Sequence, residues 1–123
     1  PIMYFYRRIP DQLLLTYYRA ADIGLLTPIR DGMNLISKEF IATKEKNAML
    51  ILSEFAGASE LLNESVIVNP YDIKGTGEAI KQVLEMPLKE KQRRFQILNE
   101  KVERFDSQWW LNNFLEDWEK LYD

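Results

Sequence analysis

Four short stretches of this chain are apolar almost without interruption: "IMYFY" (2–6), "IGLLT" (23–27), "MLILS" (49–53) and "VIVNP" (66–70). A strand with one face in water alternates apolar and polar residues, whereas a strand covered on both faces does not. The four stretches therefore predict a parallel sheet sandwiched between helices. Segments with helical spacing separate them, at 11–21, 35–46 and 57–64, with Leu13, Leu14, Tyr17 and Ala21 near one face of the first. Strand and helix in alternation is the pattern of βαβ units and of an α/β fold. Beyond the fourth stretch the chain turns helical. Residues 71–86 have Asp72 as a cap and Ile80, Val83 and Leu84 pointing inward. Residues 87–105 open on Pro87 in a first-turn position, and 106–122 open on Asp106 or Ser107 as cap. The expected architecture is one α/β domain over residues 1–123: a parallel sheet of about four strands flanked by helices, with a helical C-terminal third.

Composition limits the chemistry. At 46% hydrophobic and 28% charged residues the chain has enough apolar mass for a packed core. Its net charge of −3 argues against bulk nucleic-acid binding, which needs a basic surface. There is no cysteine and no histidine. That removes disulfides, thiolate metal sites, cysteine nucleophiles, histidine bases and most zinc sites. What is left is carboxylates, lysines, arginines, hydroxyls and backbone amides. No apolar stretch approaches the roughly 20 residues that span a bilayer, and the N-terminus has no signal-peptide layout. Neither a membrane nor a nucleic-acid partner is expected.

The stretch "TPIRDGMNLISKEF" (27–40) carries the most information. A strand ends at Thr27, a loop with Gly32 follows, and a helix starts near Leu35. Ligands of open α/β sheets bind at the carboxyl ends of strands. The following helix offers unpaired amides and a partial positive charge, a setting for phosphate. Gly32 lets a ligand approach the backbone, and Asn34 can cap the helix. Glu39 lies four residues after Leu35 and leans back toward the helix start, where a carboxylate accepts hydrogen bonds from sugar hydroxyls. Asp31, on the other side of the phosphate position, can accept from a second sugar. Ribose, diphosphate and hexose together describe a nucleotide-sugar. The same residues also suit an ordinary capping loop followed by a solvated glutamate, and spacing alone leaves both readings open.

The stretch resembles the donor-site signature of trehalose-6-phosphate synthases, whose usual form is close to "TPLRDGMNLVAKEY". The similarity continues in "YRAADIGLL" (18–26), "LILSEFAGASELL" (50–62), "VNPYDI" (68–73) and "MPLKEK" (86–91), in order and over nearly the whole chain. Ile29, Ile36 and Phe40 are conservative departures, and Ser37 replaces another small residue. These enzymes are retaining glycosyltransferases with two facing Rossmann-like domains (the glycosyltransferase B type). The resemblance implies that Asp31, with the backbone of Met33 and Asn34, binds the donor glucose. It implies that the amides of Leu35 and Ile36 hold the diphosphate, that Glu39 binds the ribose, and that Ile9 lies against the uracil. The implied reaction transfers glucose from UDP-glucose to glucose 6-phosphate by a front-face route without a protein nucleophile. The nucleotide-sugar donor and the sugar-phosphate acceptor are substrates; no cofactor and no metal is implied, and the implied location is the cytoplasm.

Several features also have plainer readings. Gly57 in "FAGASELL" fits a tight strand-to-helix turn as well as a cleft wall. Arg7, Arg8, Arg30 and Lys38 can reach phosphate or remain solvated. The stripe Trp110, Phe114, Trp118 and Leu121 reads as packing rather than a sugar platform.

The similarity is confined to the C-terminal, donor-binding part of the family's chain. The chain is therefore expected to be the later part of a nucleotide-binding domain that lacks its first strands, inactive by itself. The alternatives are a stand-alone, non-catalytic domain that binds a nucleotide-sugar or a protein, and a relative that uses another acceptor, such as glycerol 3-phosphate. The "IMYFY" edge and the aromatic face of 109–121 are expected to seek cover. The 123-residue chain should accordingly self-associate at tens of micromolar in sedimentation experiments. A clean monomer with the fluorescence of buried indole would count against this.

Overall fold

A computed structural model describes residues 2–121. The elements run α1 (Asp11–Ala20), β1 (Ile23–Leu26), α2 (Leu35–Ala42), β2 (Met49–Ser53), α3 (Ala58–Leu61), β3 (Val66–Val68), α4 (Ile73–Glu85), α5 (Leu88–Arg104) and α6 (Ser107–Lys120). The three strands form a parallel sheet in the order β1-β2-β3. Ile23 lies opposite Met49 and Leu26 opposite Leu52, while Ile51 lies opposite Val66.

All five residues of β2 are buried. Alternate side chains enter two separate cores. Leu50 and Leu52 pack with Phe40 and Ile41 of α2 and with Phe95 and Leu98 of α5. Met49 and Ile51 pack with Val68, Ala79 and Val83 on the α4 side. The near-continuous apolar character of "MLILS" is thus explained by two covered faces, as expected of a three-layer α/β core. The expected caps are in place as well: the Gly75 amide donates to Asp72 Oδ1 at 2.8 Å, and the Trp109 amide to Asp106 Oδ1 at 2.8 Å. Pro87 stands one residue earlier than expected, at the N-cap of α5.

Three expectations need correction. Residues 2–6 are not a strand. Ile2 is 96% exposed, and Phe5 rests against Tyr17 of α1, ring centroids 5.8 Å apart. A strand exists only where a neighbour supplies the ladder, and here the segment is held by a helix side chain instead. Among the described residues the sheet therefore has three strands rather than four. The inward faces of two helices also differ slightly. In α1 Tyr18 replaces Leu13, reaching the core edge-on to Phe40, and in α4 Ala79 replaces Leu84, which is exposed. Finally, α6 buries none of its residues, and Trp110, Phe114 and Trp118 are each about half exposed. The stripe is thus not the buried packing face that its spacing predicts. Residue 122, the expected end of that helix, lies outside the described residues. Of the two surfaces behind the expected self-association, the aromatic one is present and the strand edge at 2–6 is not.

One lysine ties the first helix to the sheet. Lys44 Nζ donates to the carbonyls of Tyr18 (3.0 Å), Arg19 (2.8 Å) and Ala21, at the C-terminal end of α1, and lies 5.5 Å from the Phe40 ring centroid. A cation there satisfies carbonyls that the helix itself leaves unpaired. Burial pushes the Lys44 ammonium below its usual range, against the opposing pull of the Asp22 carboxylate. Lys44→Met keeps the apolar stem and removes the ammonium. It is expected to cost about 1–3 kcal/mol in urea unfolding and to speed amide exchange in α1. An unchanged midpoint would show the clamp to be idle.

Candidate functional site

The chain leaves β1 and reaches α2 through a loop whose shape is set by two side chains. Asn34 precedes the helix with φ of 66°, a left-handed conformation that asparagine tolerates better than most residues. Its Oδ1 accepts from the Ser37 amide at 3.0 Å, and its carbonyl accepts from Ser37 Oγ at 2.6 Å. Asp31 braces the same turn. Its Oδ1 accepts from the amides of Asn34 (2.8 Å) and Met33 (3.2 Å), and its Oδ2 from Asn34 Nδ2 (3.0 Å). These donors hold the Asp31 carboxyl below the usual carboxylate range, the Asn34 side chain contributing most. The cap uses the Ser37 amide. The amides of Leu35 and Ile36 stand in the first turn, where no intrahelical acceptor reaches them.

A second loop, after β2, is laced to the first. The Asp31 amide donates to the Phe55 carbonyl (3.2 Å), the Gly57 amide to the Asp31 carbonyl (2.9 Å), and the Ala58 amide to the Met33 carbonyl (2.9 Å). Asp31 and Ala56 form an isolated parallel bridge, so the β1–β2 pairing resumes briefly beyond the strand ends. Two hollows open around this crossing. A groove of about 740 Å³ is bounded by Met33, Leu35, Lys38 and Glu39 on one side and by Phe105, Trp109 and Trp110 on another. A smaller hollow of about 320 Å³ contains Arg30, Asp31 and Gly32. Gly57 and Glu60 form part of both.

The structure thus brings Met33, Leu35 and Glu39 together in one groove, with Asp31 next door. Asn34 is buried behind them and acts on the loop. Ile36 and Ile9 line neither hollow. Lys38 donates to the Phe105 carbonyl at 3.3 Å, which fixes the α5–α6 corner against α2. Arg8 faces Asp11 at 3.8 Å on the surface, away from the groove. Gly57 proves to be both a turn residue, at the N-cap of α3, and a wall residue. Sequence reasoning missed Glu60 and the aromatic wall. The signal for the wall was the aromatic run at the start of the last helix, Trp109 and Trp110, close behind Phe105.

Residues 1–120 match the model of glycosyltransferase family 20. The chain belongs to glycosyltransferase family 20. Among its curated relatives in the family is a bifunctional trehalose-6-phosphate synthase/phosphatase of Thermoproteus tenax, 46% identical over 94% of this chain and 16% of that protein. A glucosylglycerol-phosphate synthase of Picosynechococcus is 39% identical over 95% of this chain and 24% of that protein. A crystal structure of a UDP-forming α,α-trehalose-phosphate synthase from Burkholderia xenovorans, in complex with glucose-6-phosphate, superposes with a TM-score of 0.89 at 38% identity. It covers 95% of this chain and 26% of that one. The chain therefore spans about a quarter or less of the family 20 relatives it matches.

The loop bracing has a measurable signature. A carboxyl whose folded pKa is depressed contributes stability above its unfolded pKa and loses it as pH falls through the folded value. The Asp31 carboxyl carbon should titrate below the range of free aspartate, with disorder of the loop following at the same midpoint. Asn34→Ala removes the largest cause of the shift together with the helix cap. It should move that midpoint upward and cost about 1 kcal/mol of stability, as read by carbon-13 titration and thermal unfolding.

Proposed function

We propose that this chain forms the donor-binding part of a retaining glycosyltransferase that moves glucose from UDP-glucose to glucose 6-phosphate, giving trehalose 6-phosphate. The observation that carries the reading is the gathering of Met33, Leu35 and Glu39 on one groove at the carboxyl end of β1, with Asp31 braced beside it. Family membership and the UDP-forming relative support it.

In this reading Glu39 accepts hydrogen bonds from the ribose hydroxyls, and the first-turn amides of Leu35 and Ile36 hold the diphosphate. Asp31 already accepts from the Met33 and Asn34 amides and offers its remaining lone pairs to the glucose. Ile9 lies against the uracil, which requires the segment before α1 to reach the nucleotide from outside the groove. The anomeric C–O bond to the diphosphate breaks while the acceptor hydroxyl attacks from the same face. The departing phosphate oxygen takes the acceptor proton. No protein nucleophile is needed, in keeping with a chain without histidine or cysteine. Neither a metal nor a cofactor enters this scheme. The proposed location is the cytoplasm; among the described residues no helix is long and apolar enough to cross a membrane. A second acceptor, glycerol 3-phosphate, is favoured by one observation, the 39% identity to a glucosylglycerol-phosphate synthase.

Calorimetry on the full-length protein tests the donor reading. Glu39→Ala should weaken UDP-glucose and UDP alike by about tenfold or more, because both carry the ribose, and leave the KM for glucose 6-phosphate unchanged. Equal donor affinity in variant and wild type would remove Glu39 from the site. UDP release with each acceptor in turn decides between the two products.

A further inference from the structure

Gly57 sits where the second loop crosses the first. Its φ is −57°, an ordinary right-handed value that any residue can adopt. The need for glycine is therefore not conformational. A Cβ at position 57 would lie 2.1 Å from the Gly32 carbonyl oxygen, 2.9 Å from its carbonyl carbon and 3.5 Å from the Met33 Cα. The two clashing atoms are both backbone atoms of Gly32, so no side-chain rotation relieves them; the Met33 distance is ordinary contact. The flanking hydrogen bonds, Gly57 amide to Asp31 carbonyl and Ala58 amide to Met33 carbonyl, both 2.9 Å, hold the loops at this distance. By contrast, a Cβ on Gly32 would meet nothing within 4 Å.

We infer that the 55–58 turn is the template for the donor loop, and that Gly57 is a positioning residue for the nucleotide-sugar. The inference rests on the donor reading given above. It adds that the Met33 and Asn34 amides, and the Asp31 carboxylate they grip, owe their placement to a backbone contact with a different loop. A side chain at 57 forces the 31–33 segment outward by about 1 Å. A displacement of that size breaks hydrogen bonds to the donor, and losing one to a charged group weakens binding by about tenfold to a hundredfold. In the donor reading these loops touch only the donor, so acceptor terms do not change. Gly57 itself makes no chemical contribution, so the effect falls on donor terms alone.

Steady-state kinetics of the full-length Gly57→Ala variant test this, with Gly77→Ala as control. Gly77 lies on the exposed side of α4, where a Cβ meets nothing within 4 Å. In the folded Gly57→Ala variant the donor KM is expected to rise about tenfold to a hundredfold, with the acceptor KM within twofold of wild type. The control keeps wild-type constants. An unchanged donor KM overturns the inference, and so does a parallel rise of both KM values. If Gly57→Ala does not fold, amide exchange on the wild type decides. Saturating UDP-glucose should slow exchange at the buried Ala58 amide, which lines neither hollow, and an unaltered rate there overturns the template role. Wild-type protein that fails to bind UDP-glucose at all would overturn the donor reading itself, a result distinct from either of these.

Discussion

The central strand β2 is hydrogen-bonded on both edges and covered on both faces. Among the described strands it alone is paired on both sides. Every other core element is located by reference to it: α2 and α5 through Leu50 and Leu52, α4 through Met49 and Ile51. A parallel strand of this kind cannot slide, because a shift of one residue would exchange the contents of the two cores. The ends of the strand are consequently as fixed as its middle. The two loops that build the groove leave the sheet from β1 and β2, and their backbones continue the ladder through the Asp31–Ala56 bridge. The site takes its rigidity from the sheet as well as from the Asp31 and Asn34 side chains that brace its loop.

The groove has a second source of order in α2. Consecutive residues of that helix do separate tasks. Ser37 closes the cap with Asn34, Lys38 anchors the α5–α6 corner, Glu39 faces the groove, and Phe40 enters the core. Glu39 also touches the rest of the fold electrostatically, since its charge adds to the burial that raises the Tyr18 hydroxyl above its usual range. A single turn of helix thus joins a ligand-facing carboxylate to both neighbouring walls.

Much of this was legible in the sequence. The three strands that formed are the three apolar stretches with helical segments on either side, and the caps at Asn34, Asp72 and Asp106 follow from the short polar side chains at those places. The motif "DGMN…KE" leads to the expectation of Asp31, Glu39 and the amides near Leu35 at one cleft; Leu35 and Glu39 share the groove, and Asp31 lines the adjoining hollow. What the sequence could not give was anything that depends on a partner element. "IMYFY" has strand composition, but strand formation is a property of a pair. The α6 stripe has the spacing of a packed helix, but how deeply a stripe is buried depends on the elements around it, and here it stays about half exposed. Ile36 lines neither hollow because it is turned about 100° from Leu35 on the helix, whereas the place of Ile9 depends on the path of the chain into α1, which no local pattern sets. Glu60 had no local signature, since its importance comes only from the crossing of two loops.

The close passage of Gly57 over the Gly32 carbonyl bears on how variation in this chain is to be interpreted. The genetic code contains no second amino acid without a β-carbon, so position 57 has no conservative replacement. Alanine and serine, which score as mild in most substitution schemes, present the same first atom to the same backbone oxygen as valine or aspartate. Gly32, only one loop away and also part of the motif, is open to a β-carbon on steric grounds. Two glycines that look alike in an alignment column therefore belong to different classes. At one the size of the incoming side chain matters, and at the other only its existence does.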